Sequence, residues 1–269
     1  MVRTEMKRAF GSKAFRATCI VTLIMLAFAS SDYLPPPHSN IKLPEPWWIF
    51  YFHCFFLGMK TALPVFYPIV VMIPYVLSYR QDRDSGYRKL ILLKTSRKAY
   101  LGAKALAVWA SAFAAILLPS LAWIPACRLI GDTDWDYALE YYAHNINFLP
   151  DFYREHVVLY CVMYAFHAAI LGAVFALLGL GISAVVKNKY LALFLPFCYA
   201  IFSSSILTSL FRDTFIGKSF EVMNLMPLQT YCYTDVYPLG YWTVPVYEAA
   251  LAAVGLILYL GGDYYVGKA

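Results

Sequence analysis

Six long apolar segments divide this chain of 269 residues and limit what it can fold into. A helix of about 20 apolar residues spans a lipid bilayer. Strands are disfavoured because the segments lack period-two alternation and because an open sheet edge has no hydrogen-bonding partner in lipid. We therefore predict an all-α, polytopic membrane protein with a single transmembrane domain over 1–269. The six predicted spans are 15–33, 49–79, 101–130, 157–186, 190–210 and 244–262.

Three segments depart from a simple span. Residues 1–16 alternate basic and apolar side chains, which predicts an amphipathic helix on the inner membrane surface that leads into the first span. We expect that span to be retained rather than cleaved with a signal peptide. The second segment is longer than one crossing and contains three prolines, so it is either a kinked helix or a short interfacial piece followed by the span. Residues 211–242 are aromatic and interrupted by prolines, which predicts a re-entrant or interfacial segment between spans five and six.

The distribution of Lys and Arg sets the expected orientation, because cytoplasmic loops carry an excess of these residues. Of 22 such residues, sixteen lie on the side of the N-terminus and six on the other side when the six spans alternate. We therefore predict that both termini are cytoplasmic. The net charge of +6 then needs no nucleic-acid partner to explain it, and none is expected.

The sequence has no motif for chemistry of its own. It lacks the GxxxxGK[ST] phosphate loop, HExxH, GxSxG and any pair of glutamates inside the apolar segments. The six cysteines are scattered singly, mostly within apolar runs, which favours small buried hydrophobes over metal ligands or nucleophiles. We therefore expect no catalytic residue, no metal site and no cofactor in this chain.

A few polar residues inside the spans are candidates for a substrate pathway. His156 and His167 are eleven residues apart on one face of the fourth span; because no carboxylate is expected to pair with them inside the bilayer, packing is favoured over a metal or proton site. On the second segment His53, Lys60 and Tyr67 recur at seven-residue spacing. This stripe either faces a cavity or places Lys60 at the outer surface. The glycines of "LGAVFALLGLGISA" in the fourth span indicate close helix packing. The hydroxyl-rich run "SSSILTS" of the fifth span also indicates close packing, and the alternative for this run is that it lines a substrate pathway. The pathway candidates are His53, Lys60, Tyr67, Ser204, Ser205 and Thr208.

The most charged stretch, "RQDRDSGYRKLILLKTSRKAYLGAK" over 80–104, lies between spans two and three. Ser85 or Asp84 can cap a short helix that begins near Gly86, and leucines give this helix an apolar side. Ser96 can cap a second helix that continues into the third span. A short helix on the surface, placed in this way, is suited to docking another protein.

This stretch resembles the corresponding loop in permease subunits of type-2 ATP-binding cassette (ABC) transporters. The similarity consists of an acidic residue and a glycine ahead of a basic, leucine-rich helix, a Thr and basic turn, and Gly-x-Lys at the start of the next span. Here these are Asp82 or Asp84 with Gly86, then "LILLKTSRKAY", then Gly102 with Lys104. The family often has glutamate ahead of the glycine, where this chain has aspartate. The N-terminal surface helix, "GLGISAVVKNKYLALFLP" and "MNLMPLQTY" agree as well.

The resemblance implies the permease of an exporter that moves an amphiphilic or hydrophobic substrate such as a peptide, a drug or a lipid-like molecule. It also implies two copies of a partner ABC ATPase that binds ATP and Mg²⁺, a second permease that is identical or homologous, and a place in a cell membrane, specifically a bacterial cytoplasmic membrane. The alternative is a membrane enzyme or a regulatory membrane subunit that transports nothing. The residues expected to couple to the ATPase are Asp82, Asp84, Gly86, Tyr87, Arg88, Leu90, Leu93 and Lys94.

Overall fold

The computed structural model describes residues 1–30, 47–48, 51–52, 63–130, 149–202 and 242–266, and all regular structure within these ranges is helical. This confirms the all-α class for the described residues. The helices are α1 (Val2–Phe10), α2 (Lys13–Ser30), α3 (Leu63–Val70), α4 (Ser78–Asp84), α5 (Tyr87–Leu92), α6 (Arg97–Ile130), α7 (Pro150–Glu155), α8 (Val157–Val185), α9 (Lys189–Ile201) and α10 (Thr243–Val266).

Three of these helices are long and apolar enough to cross a membrane: Arg97–Leu129, Val157–Val185 and Val244–Tyr264. They coincide closely with the third, fourth and sixth predicted spans. A fourth crossing is added if α1 and α2, which meet at an angle of 50°, are counted as one broken span. The described part of the fifth predicted span is the shorter apolar helix α9. The protein is therefore a helical membrane protein, and six crossings with both ends inside stay a prediction.

The second predicted span is interrupted by turns where the structure describes it. α3 ends at Val70, and the chain then continues through turns to α4. Some backbone hydrogen bonds here join residues three apart, such as Met72 N–H to the Ile69 carbonyl at 3.1 Å. Pro74 has no N–H to give to the carbonyl of Val70, so a regular helix cannot continue through this point. The choice between a kinked helix and a preceding interfacial piece stays a prediction, because 53–62 lie outside the described residues.

The N-terminal helix is present, and its structure explains the bend. At the end of α1 the Gly11 N–H donates a hydrogen bond to the Lys7 carbonyl at 3.0 Å. At the start of α2 the Ser12 hydroxyl accepts a hydrogen bond from the Phe15 N–H at 2.9 Å. α1 packs against α6 and buries Glu5 completely. One face of this amphipathic helix is thus covered by protein, while Lys7 and Phe10 stay exposed.

The centre of the molecule is α8, which packs against α6 and α10. Of its most apolar window, 83% is buried, against 44% for α6 and 33% for α10. The outer helices expose isoleucines such as Ile24 of α2 and Ile257 of α10, which suits contact with lipid. At the α8–α10 crossing the backbones touch, because a Cβ on Gly181 would collide with the carbonyl of Gly255. The close packing predicted for the glycines of the fourth span is confirmed.

Replacing Gly255 with Ala is expected to separate α8 from α10. The new Cβ would lie 2.7 Å from the backbone carbonyl atoms of Leu177, and backbone cannot move aside as a flexible side chain can. Overpacking of this kind costs about 1–3 kcal/mol, so the melting temperature of the purified protein in mild detergent should fall. Gly261 lies on the same helix, and a Cβ there meets nothing within 4 Å. Gly261→Ala is the matched control, and equal melting temperatures for the two variants would contradict the described crossing.

Candidate functional site

Four charged side chains from three helices meet inside the protein at the start of α6. The ammonium of Lys104 lies 2.6 Å from a carboxylate oxygen of Asp82 and 2.6 Å from one of Glu5. Arg8 completes the group, at 2.7 Å from Asp82 and 2.9 Å from Glu5. We call these four residues the charged cluster. Its two acids and two bases balance, and the group joins α1, α4 and α6.

The charged cluster is nearly closed to water. Lys104 and Glu5 have no exposed surface, and only Arg8 is partly open. Two tyrosines donate to the carboxylates: Tyr75 to Glu5 at 2.7 Å and Tyr100 to Asp82 at 3.1 Å. Buried charges are tolerated only when they are paired and their remaining hydrogen-bonding capacity is used. Here both conditions are met.

The charged cluster keeps Asp82 ionised. Burial alone raises the pKa of this carboxyl, but the hydrogen bonds from Arg8 and Lys104 and the positive charges of both outweigh it and hold the pKa below its ordinary value. Asp82 therefore stays negative at neutral pH and continues to hold both bases. Its side chain is 2% exposed, so any role in ATPase coupling is exerted through Arg8 and Lys104.

A second buried carboxylate organises the other side of the loop. Asp263, near the end of α10, pairs with both Arg88 of α5 and Arg97 of α6. The hydroxyl of Tyr79 donates to the same carboxylate at 2.7 Å. Asp263 has no exposed surface, whereas Arg97 is 43% exposed. The last helix of the chain is thereby joined to the charged loop.

Two further arginines attach α4 to the C-terminal end of α8. Arg80 donates to the Val186 carbonyl at 2.6 Å, and Arg83 donates to the Ala184 carbonyl at 3.4 Å. The carbonyls at a helix end lack partners within the helix and carry partial negative charge, so guanidinium groups suit them. The segment from α4 to the start of α6 is thus connected by charged groups to α1, α6, α8 and α10.

The predicted surface helix exists as α5, but it is not capped as expected. Its N-cap is Gly86, with no side-chain cap, so capping by Ser85 or Asp84 is wrong. Gly86 adopts φ 74°, a left-handed conformation that glycine takes without steric cost. The second predicted cap is confirmed: the Ser96 hydroxyl accepts the Ala99 N–H at 3.3 Å, and α6 runs from there into the third span.

The loop residues divide into anchors and a surface. Arg88 faces inward on Asp263, and Tyr87 lies under the Arg8 guanidinium at 5.0 Å. Leu90 is 62% exposed and Leu93 is 83% exposed. We call the last residue of α4, the outward face of α5 and the turn after α5 the loop surface; its exposed members are Asp84, Tyr87, Lys89, Leu90, Leu93 and Lys94.

The pathway candidates are mostly not placed by the structure. Tyr67 is buried on α3, where its hydroxyl donates to the Ala168 carbonyl of α8. That contact packs two helices together, and a pathway role for Tyr67 stays a prediction. The other candidates lie outside the described residues: His53, Lys60, Ser204, Ser205 and Thr208.

The expectation that His167 has no carboxylate partner is wrong. Glu248 of α10 places a carboxylate oxygen 3.5 Å from the Nε2 of His167 on α8, and both side chains are largely buried. His156, by contrast, is half-exposed where α8 begins, 4.0 Å from Glu155. Among the described residues no group of three or more His, Cys, Asp or Glu could hold a metal ion. The two histidines therefore do not share a site, and His167 belongs to a contact between α8 and α10.

Residues outside the loop do much of the anchoring, and these residues are not among the candidates predicted from the sequence. Glu5 and Arg8 lie in a helix interpreted only as amphipathic, Glu248 lies in the sixth predicted span, and Asp263 follows directly after that span. The signal was available for Glu248, because an acidic residue inside an apolar segment is expensive and usually has a partner. Lys104 gave the same signal, since it lies just inside the third span.

Replacing Lys104 with Met should strongly destabilise the protein, because Glu5 and Asp82 would then face each other with Arg8 as the remaining base of the charged cluster. Removing one member of a buried ion pair costs about 3–5 kcal/mol. Lys98→Met is the matched control, since Lys98 lies exposed at the start of the same helix and should change stability by less than about 0.5 kcal/mol. Thermal or denaturant unfolding in mild detergent measures both.

The double variant Lys104→Met with Asp82→Asn tests whether the charges act together. It leaves Glu5 paired with Arg8 and restores the charge balance, so its loss of stability should be smaller than the sum of the two single losses. Strict additivity would show that the charged cluster is not an energetic unit.

Comparison with known proteins adds no relative: no protein-family model matches the chain, and neither a curated protein nor a solved structure matches it. What the described residues establish is a helical membrane protein with a charged loop tied to several helices.

Proposed function

We propose that the chain is the permease subunit of an ABC exporter and that the loop surface docks a separate ATPase subunit. The function of this site rests on the motif resemblance in 80–104 and on one structural observation. That observation is the combination, within one short segment, of an exposed apolar helix with ion pairs to α1, α6 and α10 and an arginine hydrogen bond to the C-terminal end of α8. A surface loop with no mechanical role does not need such anchoring.

The loop surface fits a partner protein better than it fits water. Exposed leucine side chains at Leu90 and Leu93 lose favourable burial when nothing covers them. They are flanked by the exposed bases Lys89 and Lys94. An apolar centre with a charged rim is the usual composition of a protein interface. The expected partner surface is therefore an apolar groove with acidic residues at its edge.

The anchors supply the route by which a push on the loop would reach the spans. The ion pair of Arg88 with Asp263 would transmit the force to α10. The ion pairs of Asp82 with Lys104 and Arg8 would transmit it to α6 and α1. Closure of the ATPase pair on ATP would then move α6 and α10 with the loop rather than deform the loop itself. Coupling of this kind requires an element that makes different contacts in two states, and the loop is that element in this proposal.

Under this proposal the chain has no catalytic role, and ATP and Mg²⁺ are bound by the partner ATPase in two copies. A second permease, identical or homologous, completes the pathway in the cell membrane, and the substrate is amphiphilic or hydrophobic. A membrane enzyme or regulatory subunit would need none of these partners. The two functions are therefore separated by whether an ATP-binding subunit accompanies the chain.

Co-purification with charge substitutions on the loop surface tests the docking. The tagged chain, extracted from its native membranes in mild detergent, should carry an ATPase subunit that is labelled by a photoreactive ATP analogue. Leu93→Asp places a charge where the apolar contact is expected and should reduce the co-purified ATPase at least about tenfold, a loss equivalent to about 1.4 kcal/mol. Leu93 is 83% exposed, so the variant should fold normally and keep its melting temperature.

Leu129→Asp is the matched control, because Leu129 is 89% exposed at the opposite end of α6. It should leave the ATPase bound. Absence of any ATP-binding subunit from the wild-type preparation would favour the enzyme or regulatory alternative. Full retention of the ATPase by Leu93→Asp would instead reject the loop surface as its docking site. Gly86 is less suitable for this test, because any side chain at its φ of 74° is strained and would alter the fold as well as the surface.

A further inference from the structure

A cleft of about 460 Å³ opens at the elbow between α1 and α2. One wall is formed by the end of α1 and the elbow itself, including Lys7 and Ser12. The other wall is formed by the interrupted segment that leads into α4, including Ser78 and Gln81. A cleft of this volume lies within the range of small-molecule sites, about 300–1,000 Å³.

One buried polar group in this cleft, the Ser78 hydroxyl, has no hydrogen-bond partner among the described residues. The residue is 4% exposed. Buried hydroxyls are nearly always hydrogen-bonded, since leaving one unpaired costs free energy. Because Ser78 lines the cleft, a polar ligand there would satisfy it.

The polar side of the cleft favours an anion. Lys7 is exposed beside it, and α2, a helix of 18 residues, begins there. The first turn of a helix presents backbone N–H groups and a positive partial charge to a ligand. The nearby carboxylates of Glu5 and Asp82 are already paired with Arg8 and Lys104, so they do not oppose an anion.

The remaining wall is apolar. Ile73, Leu77 and Ala14 line it, and Ile73 is 41% exposed. The elbow also exposes Phe10, an aromatic side chain suited to the membrane interface. A ligand that fills this cleft therefore combines a negative group with a hydrocarbon portion.

We propose that the cleft binds the phosphate headgroup of an anionic phospholipid, with the phosphate between Lys7, Ser78 and the start of α2 and the upper acyl chain along Ile73 and Leu77. Phosphate supplies acceptor oxygens for the Ser78 hydroxyl, the Lys7 ammonium and backbone N–H groups. A bound lipid would hold the elbow in place from the membrane side. This site does not depend on ATPase docking, and its failure leaves the proposed transport function unaffected.

Native mass spectrometry of the detergent-purified protein tests the site, with phosphatidylglycerol and phosphatidylcholine of identical acyl chains as probes. Phosphatidylglycerol should bind about fivefold more tightly, the value of one Lys next to an anionic lipid. Lys7→Gln should remove most of this preference. Ser78→Ala should weaken phosphatidylglycerol binding without lowering the melting temperature of the lipid-free protein, because the hydroxyl it removes has no partner there.

Lys13→Gln is the matched control: it removes an exposed base at the same elbow that does not line the cleft, and it should leave the preference intact. An equal loss in Lys13→Gln would show a diffuse surface charge and overturn the site. Equal binding of the two lipids would overturn it as well. Displacement of phosphatidylglycerol by millimolar inorganic phosphate would assign the cleft to free phosphate and reject a lipid ligand.

Discussion

The burial of Lys104 between Asp82 and Glu5 is the interaction on which the arrangement of this protein's charged end depends. A lysine just inside an apolar helix is costly unless carboxylates neutralise it, and neither carboxylate belongs to its own helix. The chain therefore has to bring α1 and α4 against the start of α6. This requirement explains why the N-terminal helix, bent by 50° from α2 at the elbow, packs on the protein instead of lying free on the lipid surface.

The elements of the fold were largely predictable, because each depends on residues close in sequence. Apolar length located the third, fourth and sixth spans to within a few residues, and Ser96 marked the start of α6. The cap of α5 was not predictable from side-chain propensity, since a glycine in a left-handed conformation ended one helix and began the next without a side-chain hydrogen bond. A helix start formed by backbone conformation alone has no polar capping residue by which the sequence could identify it.

The site was only half predictable, for a related reason. The exposed leucines of the loop surface follow from the pattern of the loop alone. The anchors do not, because Arg8 and Asp82 are 74 residues apart, and Arg88 and Asp263 are 175 residues apart. Helical periodicity carries no information over such separations. The His167–Glu248 contact was missed in the same way, although a lone acid in an apolar helix indicates that a partner exists without showing which one.

Two different physical means join the helices of this molecule. Where α8 crosses α10, glycine allows direct backbone contact, which tolerates almost no sideways displacement. At the charged end, long arginine and lysine side chains make the connections, and each holds a carboxylate of another helix. Beside Asp263 both means act on α10, because a Cβ on Gly262 would lie 3.0 Å from the backbone carbon of Ala184. In the proposed exporter, a force applied to the loop would therefore reach α6 and α10 through these ion pairs while α10 stays packed on α8.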